Sequence, residues 1–137
     1  MLGRSNGSSS GSGSSTPSDL VDYIIEESVD SATGLSYRKW KNGDAEVWGK
    51  ISVSVPSWVA WGSSYYNSGY TSYSYPAGLF IDVPTTFQVA GTGAADAWTC
   101  TGGLGTKDKT PTLYFMRPVS ASAGTYYFNI HAIGKWK

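Results

Sequence analysis

The sequence has very few of the side chains that catalysis and metal binding require. Its 137 residues include one histidine, His131, and one cysteine, Cys100, and only 15% are charged, against roughly 25% in typical soluble domains. One histidine and one cysteine cannot complete a zinc site within one chain. A single cysteine cannot form an internal disulfide either, so we interpret Cys100 as a small buried residue of a strand. We therefore expect no metal and no cofactor.

Acidic residues are also few, and they are poorly placed for catalysis. Glycoside hydrolysis requires two convergent carboxylates, but the acids after residue 50 fall at turns or in loops. They are Asp82, Asp96 and Asp108. The neighbours Glu26 and Glu27 would point to opposite faces of a strand. Residues 20–137 contain no Gly-x-Ser-x-Gly turn that would present a nucleophilic serine. We predict that the protein is not an enzyme, and keep a glycan-active enzyme as an alternative, with its carboxylates shared across a subunit interface.

The sequence has neither an excess of one charge nor a long apolar run. Ten basic residues balance ten acidic ones, so nothing favours a nucleic-acid backbone or an anionic membrane surface as partner. No run approaches the roughly 20 apolar residues of a membrane-spanning helix. We expect neither nucleic-acid binding nor membrane insertion.

Composition divides the chain into an arm and a domain. Residues 1–19 are mostly Ser, Gly, Asn and Thr, which bury too little apolar surface to offset the entropy of ordering them. This composition predicts a flexible arm or linker. Residues 20–137 contain the aliphatic and aromatic side chains from which one core can form.

Short runs that alternate apolar and polar residues predict an all-β domain. Residues 20–29 fit either a helix or a strand, and their β-branched side chains favour a strand. The sequence Asn42-Gly43 predicts a tight hairpin turn, since Asn-Gly is the strongest short hairpin signal. The other predicted strands are residues 35–40, 45–55, 79–83, 85–89, 97–101, 112–116 and 125–133. Strands at this spacing indicate an antiparallel β-sandwich or a barrel.

One window of the sequence is rich in aromatic residues and free of charge. Residues 51–81 include no charged side chain, and Ser, Gly, Asn and Thr separate the aromatic rings. The same mixture forms antibody paratopes, and sugars stack their C–H faces on such rings. We predict loops that contact a ligand through seven residues. They are Trp58, Trp61, Tyr65, Tyr66, Tyr70, Tyr73 and Tyr75. A core or a subunit interface would use the same residues, so that alternative stays open.

Two further patches carry a resemblance to a known family. Residues 37–49 read Tyr-Arg-Lys-Trp-Lys-Asn-Gly-Asp-Ala-Glu-Val-Trp-Gly. They resemble a Tyr-Arg-Lys-Trp-x-x-Gly-x-x-Glu-x-Trp-Gly hairpin near the C-termini of tail-fibre and minor structural proteins of Firmicutes phages and prophages. Residues 126–137 are similar to the closing strand of the same proteins. The resemblance implies a β-rich knob, a homotrimer, on a virion fibre. It also implies synthesis in the bacterial host cytoplasm and binding to a host-surface glycan or protein, without a catalytic residue.

From its residues alone, we interpret the hairpin as architectural, with direct contact to a ligand as the alternative. Arg38 and Glu46 flank the turn, where opposite charges pair across strands. The residues assigned to this role are Tyr37, Arg38, Trp40, Asn42, Gly43, Glu46 and Trp48. The place on the virion stays open: the alternative to a fibre tip is a head-fibre or decoration protein that docks on other virion proteins through residues 1–19.

Overall fold

Two antiparallel β-sheets pack face to face in the computed structural model, which describes residues 21–137. The strands are β1 Ile24–Val29, β2 Ser36–Trp40, β3 Asp44–Val55, β4 Val59–Trp61, β5 Tyr65–Asn67, β6 Thr86–Thr92, β7 Trp98–Gly102, β8 Thr112–Arg117 and β9 Gly124–Lys135. The order is β1-β2-β3-β9-β6 in the larger sheet and β4-β5-β8-β7 in the smaller one. This arrangement confirms the predicted β-sandwich. The expected arm, residues 1–19, lies outside the described residues.

Strands β3 and β9 form the centre of the larger sheet. Each has twelve residues, and they pair along their whole length, from Asp44 opposite Lys135 to Val55 opposite Gly124. Buried and accessible residues alternate along both strands, as expected when one face packs on a core and the other meets water. No helix within the described range is long and apolar enough to cross a membrane.

The Asn-Gly turn joins β2 to β3, as predicted. Gly43 has a φ of 101°, a left-handed conformation that glycine adopts without steric cost. Asn42 Oδ1 accepts a hydrogen bond from the backbone N–H of Asp44 at 2.7 Å, and Asn42 Nδ2 donates to Asp44 Oδ2 at 2.8 Å. The turn sets the register in which Arg38 lies opposite Glu46.

Aromatic rings connect the two sheets in the core. Phe115 of β8 and Phe128 of β9 stack with their ring centroids 4.0 Å apart and an interplanar angle of 10°. Both residues are 1% exposed. Leu113 and Ile130, two residues before Phe115 and two after Phe128, are buried as well. Burial of each such side chain contributes about 1.5–3 kcal/mol, so this cluster holds the sheets together.

The predicted strand at residues 79–83 is wrong. Leu79 and Phe80 are each 2% exposed and lie in a loop that packs across the end of β9. The backbone N–H of Ile81 donates to the carbonyl of Lys135 at 2.9 Å, while a Cβ on Gly134 would lie 2.9 Å from Phe80 Cδ1. Apolar residues therefore recur here because the loop covers the core.

We expected loops around the aromatic residues of the window, but two short strands lie among them. Strands β4 and β5 form a short hairpin within it, with Val59 opposite Asn67 and Trp61 opposite Tyr65. Gly62 opens the connecting turn with a φ of 69°, which suits glycine. The predicted strand within residues 20–29 is confirmed as β1.

The sheets approach each other closely at their edge strands β6 and β7. A Cβ at Gly91 would lie 2.0 Å from Thr99 Cγ2 and 3.1 Å from Phe115 Cε1. Carbon atoms do not approach to 2.0 Å without a bond, so only glycine fits here.

We expect Gly91→Ala to lower the free energy of unfolding by about 1–3 kcal/mol, because the methyl group overpacks the junction of the sheets. Gly102→Ala in β7 is the matched control. Its Cβ would lie 3.5 Å from Tyr114 Cε1, an ordinary contact, so we expect a change within about 0.5 kcal/mol. Urea unfolding of both variants tests this. Equal losses would contradict the close approach at Gly91.

Tyr75 is a core residue whose hydroxyl makes the stability of the fold depend on pH. It is 3% exposed and packs edge-on against Phe80, with ring centroids 5.3 Å apart and an interplanar angle of 86°. Burial raises the pKa of its hydroxyl to about 12, compared with about 10 for an unfolded chain.

We therefore expect an alkaline loss of stability that depends on Tyr75. Between about pH 10 and about pH 12 the unfolded chain releases the tyrosine proton while the folded chain keeps it, so unfolding becomes easier by up to about 2–3 kcal/mol. The loss is absent below pH 10 and stops growing above pH 12. Tyr75→Phe removes this component, so its stability relative to the unmodified protein should be higher at about pH 11 than at about pH 8 in urea unfolding. A difference that does not change with pH would contradict the burial of this hydroxyl.

Candidate functional site

The outer face of the four-stranded sheet carries a group of aromatic side chains. Phe115 points into the core, so its neighbours along β8, Tyr114 and Met116, point to the outer side of the sheet, where Met116 is itself covered and only 2% exposed. Residues directly opposite each other in a sheet share a face, which places Trp98, opposite Met116, outward as well. We define the aromatic face as the outward-pointing rings of this sheet together with one ring from the adjoining loop. These are Trp61, Tyr65, Trp98, Tyr114 and Tyr70.

Four of the five rings of the aromatic face are exposed, Tyr114 is half-buried, and four of the rings contact each other in two pairs. Tyr65 and Trp98 meet edge to face with centroids 6.0 Å apart, and Tyr70 and Tyr114 do so at 4.7 Å. This geometry pairs the positive edge of one ring with the negative face of another. Trp61, Tyr65, Tyr70 and Trp98 are nevertheless 54%, 45%, 55% and 44% exposed. Such exposure of large rings on one face is typical of interaction surfaces.

The loop that carries Tyr70 is tied to β8. The backbone N–H of Phe115 donates to Ser68 Oγ at 2.9 Å, and the backbone N–H of Ser68 donates to the carbonyl of Phe115 at 3.1 Å. Asn67 is 5% exposed, and its Oδ1 accepts from the backbone N–H of Gly69 at 2.9 Å. The ring of Tyr70 is therefore presented by a fixed loop, which lowers the entropy that binding would cost.

The aromatic face is free of formal charge. The outward positions of its four strands contain no Asp, Glu, His, Lys or Arg. Burial raises the pKa of the Cys100 thiol and of the Tyr114 hydroxyl, so both groups are neutral at neutral pH. The ion pair of Arg117 with Asp96, 2.6 Å between Nη2 and Oδ2, involves an arginine that points into the core.

The rings of the other sheet and of the core differ because cations lie over them. Arg38 Cζ lies 4.7 Å from the Trp48 ring centroid, Lys50 Nζ lies 4.6 Å from Tyr127, and Arg117 Cζ lies 5.0 Å from Trp58. Within residues 21–137, no lysine or arginine lies over a ring of the aromatic face. Its rings are therefore open to a ligand.

The structure separates the seven predicted ligand-binding residues into two groups. Trp61, Tyr65 and Tyr70 belong to the aromatic face. The other four point inward or are buried, which corrects the predicted single rim. They are Trp58 and Tyr75 in the core, and Tyr66 and Tyr73, half-buried against it. For Tyr66 the physical reason is alternation along β5, which turns it to the face opposite Tyr65. Trp58, Tyr73 and Tyr75 lie outside the strands, in segments that pack on the core.

Two rings of the face were missed by the sequence interpretation. Trp98 and Tyr114 lie outside the charge-free window, on strands predicted only as core elements. Their alternation with inward residues, Thr99 and Phe115, was a usable signal. The pairing of β5 with β8, which places β7 in the same sheet, was not visible in the sequence, because residues 68–111 separate the two strands.

The hairpin residues occupy the larger sheet. Arg38 Nε lies 2.6 Å from Glu46 Oε1, so the expected cross-strand pair is present. Tyr37 points to the other side of β2, where its hydroxyl donates to Glu26 Oε1 at 2.6 Å. That hydrogen bond lowers the pKa of Glu26 and raises the pKa of Tyr37.

No group of three His, Cys, Asp or Glu side chains among residues 21–137 is arranged to hold a metal ion. Comparisons of the chain with protein-family models, curated proteins and solved structures gave no match. The geometry of the surface therefore carries the functional argument.

The division between core and surface predicts that two neighbouring tryptophans contribute very differently to the free energy of unfolding. Trp58 is 8% exposed and lies 5.2 Å from the Tyr126 ring, edge to face, so Trp58→Ala should cost about 3–5 kcal/mol of stability. Trp61→Ala removes an exposed ring and should change stability by about 0.5 kcal/mol or less. Thermal and urea unfolding measure both values. A large loss for Trp61→Ala would show that this ring is buried, for instance in a subunit interface.

Proposed function

We propose that this chain is a non-catalytic binding module of a phage fibre, which holds a host-surface glycan against the aromatic face. The observation that carries the proposal is a set of five rings on one uncharged face, with no lysine or arginine of the described residues over any of them. Soluble proteins rarely leave so much aromatic area exposed together unless the area binds something.

A saccharide suits this face better than a charged ligand does. The apolar C–H faces of sugar rings stack on Trp61, Tyr65 and Trp98, while the tyrosine hydroxyls donate to and accept from sugar hydroxyls. Aromatic residues dominate the energy of most binding surfaces. Because four of the five rings are already held by edge-to-face contacts, and Tyr70 also by the tied loop, binding orders few side chains.

The proposal assigns no chemical step to this face. Its outward strand positions hold neither a carboxylate pair nor a histidine, and glycoside hydrolysis depends on paired carboxylates. Binding of a glycan without a chemical step accounts for these residues.

The fibre context of the proposal comes from the hairpin at residues 37–49 and the closing strand at residues 126–137. Their resemblance to phage structural proteins supports a virion location and a homotrimer. In a trimer, three aromatic faces would bind one cell surface together, which increases avidity without any new contact.

The triple variant Trp61→Ala, Tyr65→Ala, Trp98→Ala tests the proposal. We expect it to fold normally and to lose binding to host cells, and to most glycans of an array, at least about a hundred-fold, since it removes three stacking anchors. Tyr23→Ala is the control, because Tyr23 is an equally exposed ring, 50%, that lies outside the aromatic face. It should bind as the unmodified protein does.

The solution mass of the triple variant separates ligand binding from assembly. We expect the variant to keep the oligomeric state of the unmodified protein. If it instead falls to monomers while cell binding per subunit persists, the aromatic face is a subunit interface and the proposal is wrong. Binding should also change little when salt is raised about ten-fold, because no charge is involved.

A further inference from the structure

A groove crosses the outer face of the five-stranded sheet, on the opposite side of the sandwich from the aromatic face. Two shallow, open depressions of about 370 Å³ and about 280 Å³ share His131 and form this groove. Its side chains come from β2, β3, β9 and β6. The six that matter are Arg38, Glu46, Trp48, His131, Asn129 and Gln88.

The register of the sheet brings these side chains together. Trp48, His131 and Gln88 lie directly opposite one another on three neighbouring strands. Arg38 and Glu46 form the next pair along β2 and β3. Because β3 and β9 pair over twelve residues, the groove lies on the best-supported part of the sheet, where side chains are positioned more accurately than on loops.

Glu46 is the fixed centre of the groove. Its side chain is 14% exposed, and its two oxygens have different partners: Oε1 lies 2.6 Å from Arg38 Nε, and Oε2 lies 2.7 Å from His131 Nε2. The guanidinium of Arg38 is held further by the rings of Trp48 and Trp40, with centroids at 4.7 Å and 5.4 Å. The planar groups are therefore oriented before any ligand arrives.

Several polar groups in the groove have hydrogen-bonding capacity that this network leaves unused. Among residues 21–137, no side-chain hydrogen bond engages the Nη atoms of Arg38, the Nδ1 of His131, or the amides of Gln88 and Asn129. Together they offer donors and acceptors within one depression. Gln88 and Asn129 are both exposed, so their amides can meet a ligand without breaking a hydrogen bond within the described structure.

The charges in the groove identify the class of ligand. Arg38 and Glu46 neutralise each other, and Glu27 Oε2 lies 3.7 Å from Arg38 Nε on the same side. An anion would face two carboxylates, and a cation would face the guanidinium and Lys50, which lies opposite Asn129. Fixed planar side chains that offer both donors and acceptors match the neighbouring hydroxyls of an uncharged sugar.

We propose that this groove is a second binding site, separate from the aromatic face, and that it takes a neutral saccharide through hydrogen bonds from Arg38, His131, Gln88 and Asn129. Its larger depression, about 370 Å³, lies within the roughly 300–1,000 Å³ of small-ligand sites. The two sites differ in physics: the aromatic face binds by stacking, and the groove binds by oriented hydrogen bonds.

A printed array of neutral and acidic oligosaccharides tests the groove in the background of Trp61→Ala, Tyr65→Ala, Trp98→Ala, so that the aromatic face does not contribute. We expect some neutral oligosaccharides to stay bound. Titration of one of them should shift the NMR signal of the Trp48 indole N–H. Adding Gln88→Ala and Asn129→Ala should weaken binding roughly ten-fold or more, and these two exposed amides hold no other part of the described structure.

Ser52→Ala with Ser54→Ala is the matched control, because both serines lie at exposed outward positions of β3 beyond the groove. This pair should bind as its parent does. Three results would overturn the proposal: no neutral oligosaccharide bound in the triple-variant background, binding of acidic sugars alone, or undiminished binding after loss of the two amides. Failure of the aromatic face is read separately, from the comparison of the unmodified protein with the triple variant.

Discussion

The pairing of β3 with β9 is the interaction on which the rest of the structure depends. Its inward positions supply Val47, Phe128 and Ile130 to the core, and its outward positions supply Glu46 and His131 to the groove. A register shift of one residue would turn every inward side chain outward. The same hydrogen-bond ladder therefore sets both the core against which the smaller sheet packs and the polar cluster on the far side.

The two outer faces of the sandwich use aromatic residues in different ways. On the larger sheet, arginine and lysine side chains cover the rings, as Arg38 covers Trp48 and Lys50 covers Tyr127. Such cation–π contacts satisfy both partners within the chain. On the smaller sheet the rings contact each other edge to face, which fixes their orientation and leaves ring surface exposed. This difference, rather than the number of aromatic residues, distinguishes the two surfaces.

Much of the architecture could be predicted from local sequence. The Asn42-Gly43 turn and the alternation along β3 and β9 each depend on residues close in the chain, so they were readable as patterns. The interpretation failed at Leu79 and Phe80, where burial came from a loop and the apolar run suggested a strand. It also failed within the window from Trp58 to Tyr75, because composition does not tell whether a ring packs on the core or faces water.

The sequence by itself determined the all-β class, the hairpin and the shortage of catalytic groups, because periodicity, turn residues and composition are local or additive properties. Only the tertiary structure decided where the aromatic rings lie. Tyr65 and Tyr66 have the same chemistry, yet one faces water and the other the core. Trp98 joins Tyr65 across more than thirty residues of chain. A binding surface of this kind is made by strands that meet through long-range pairing, and that pairing depends on the packing of the whole sandwich.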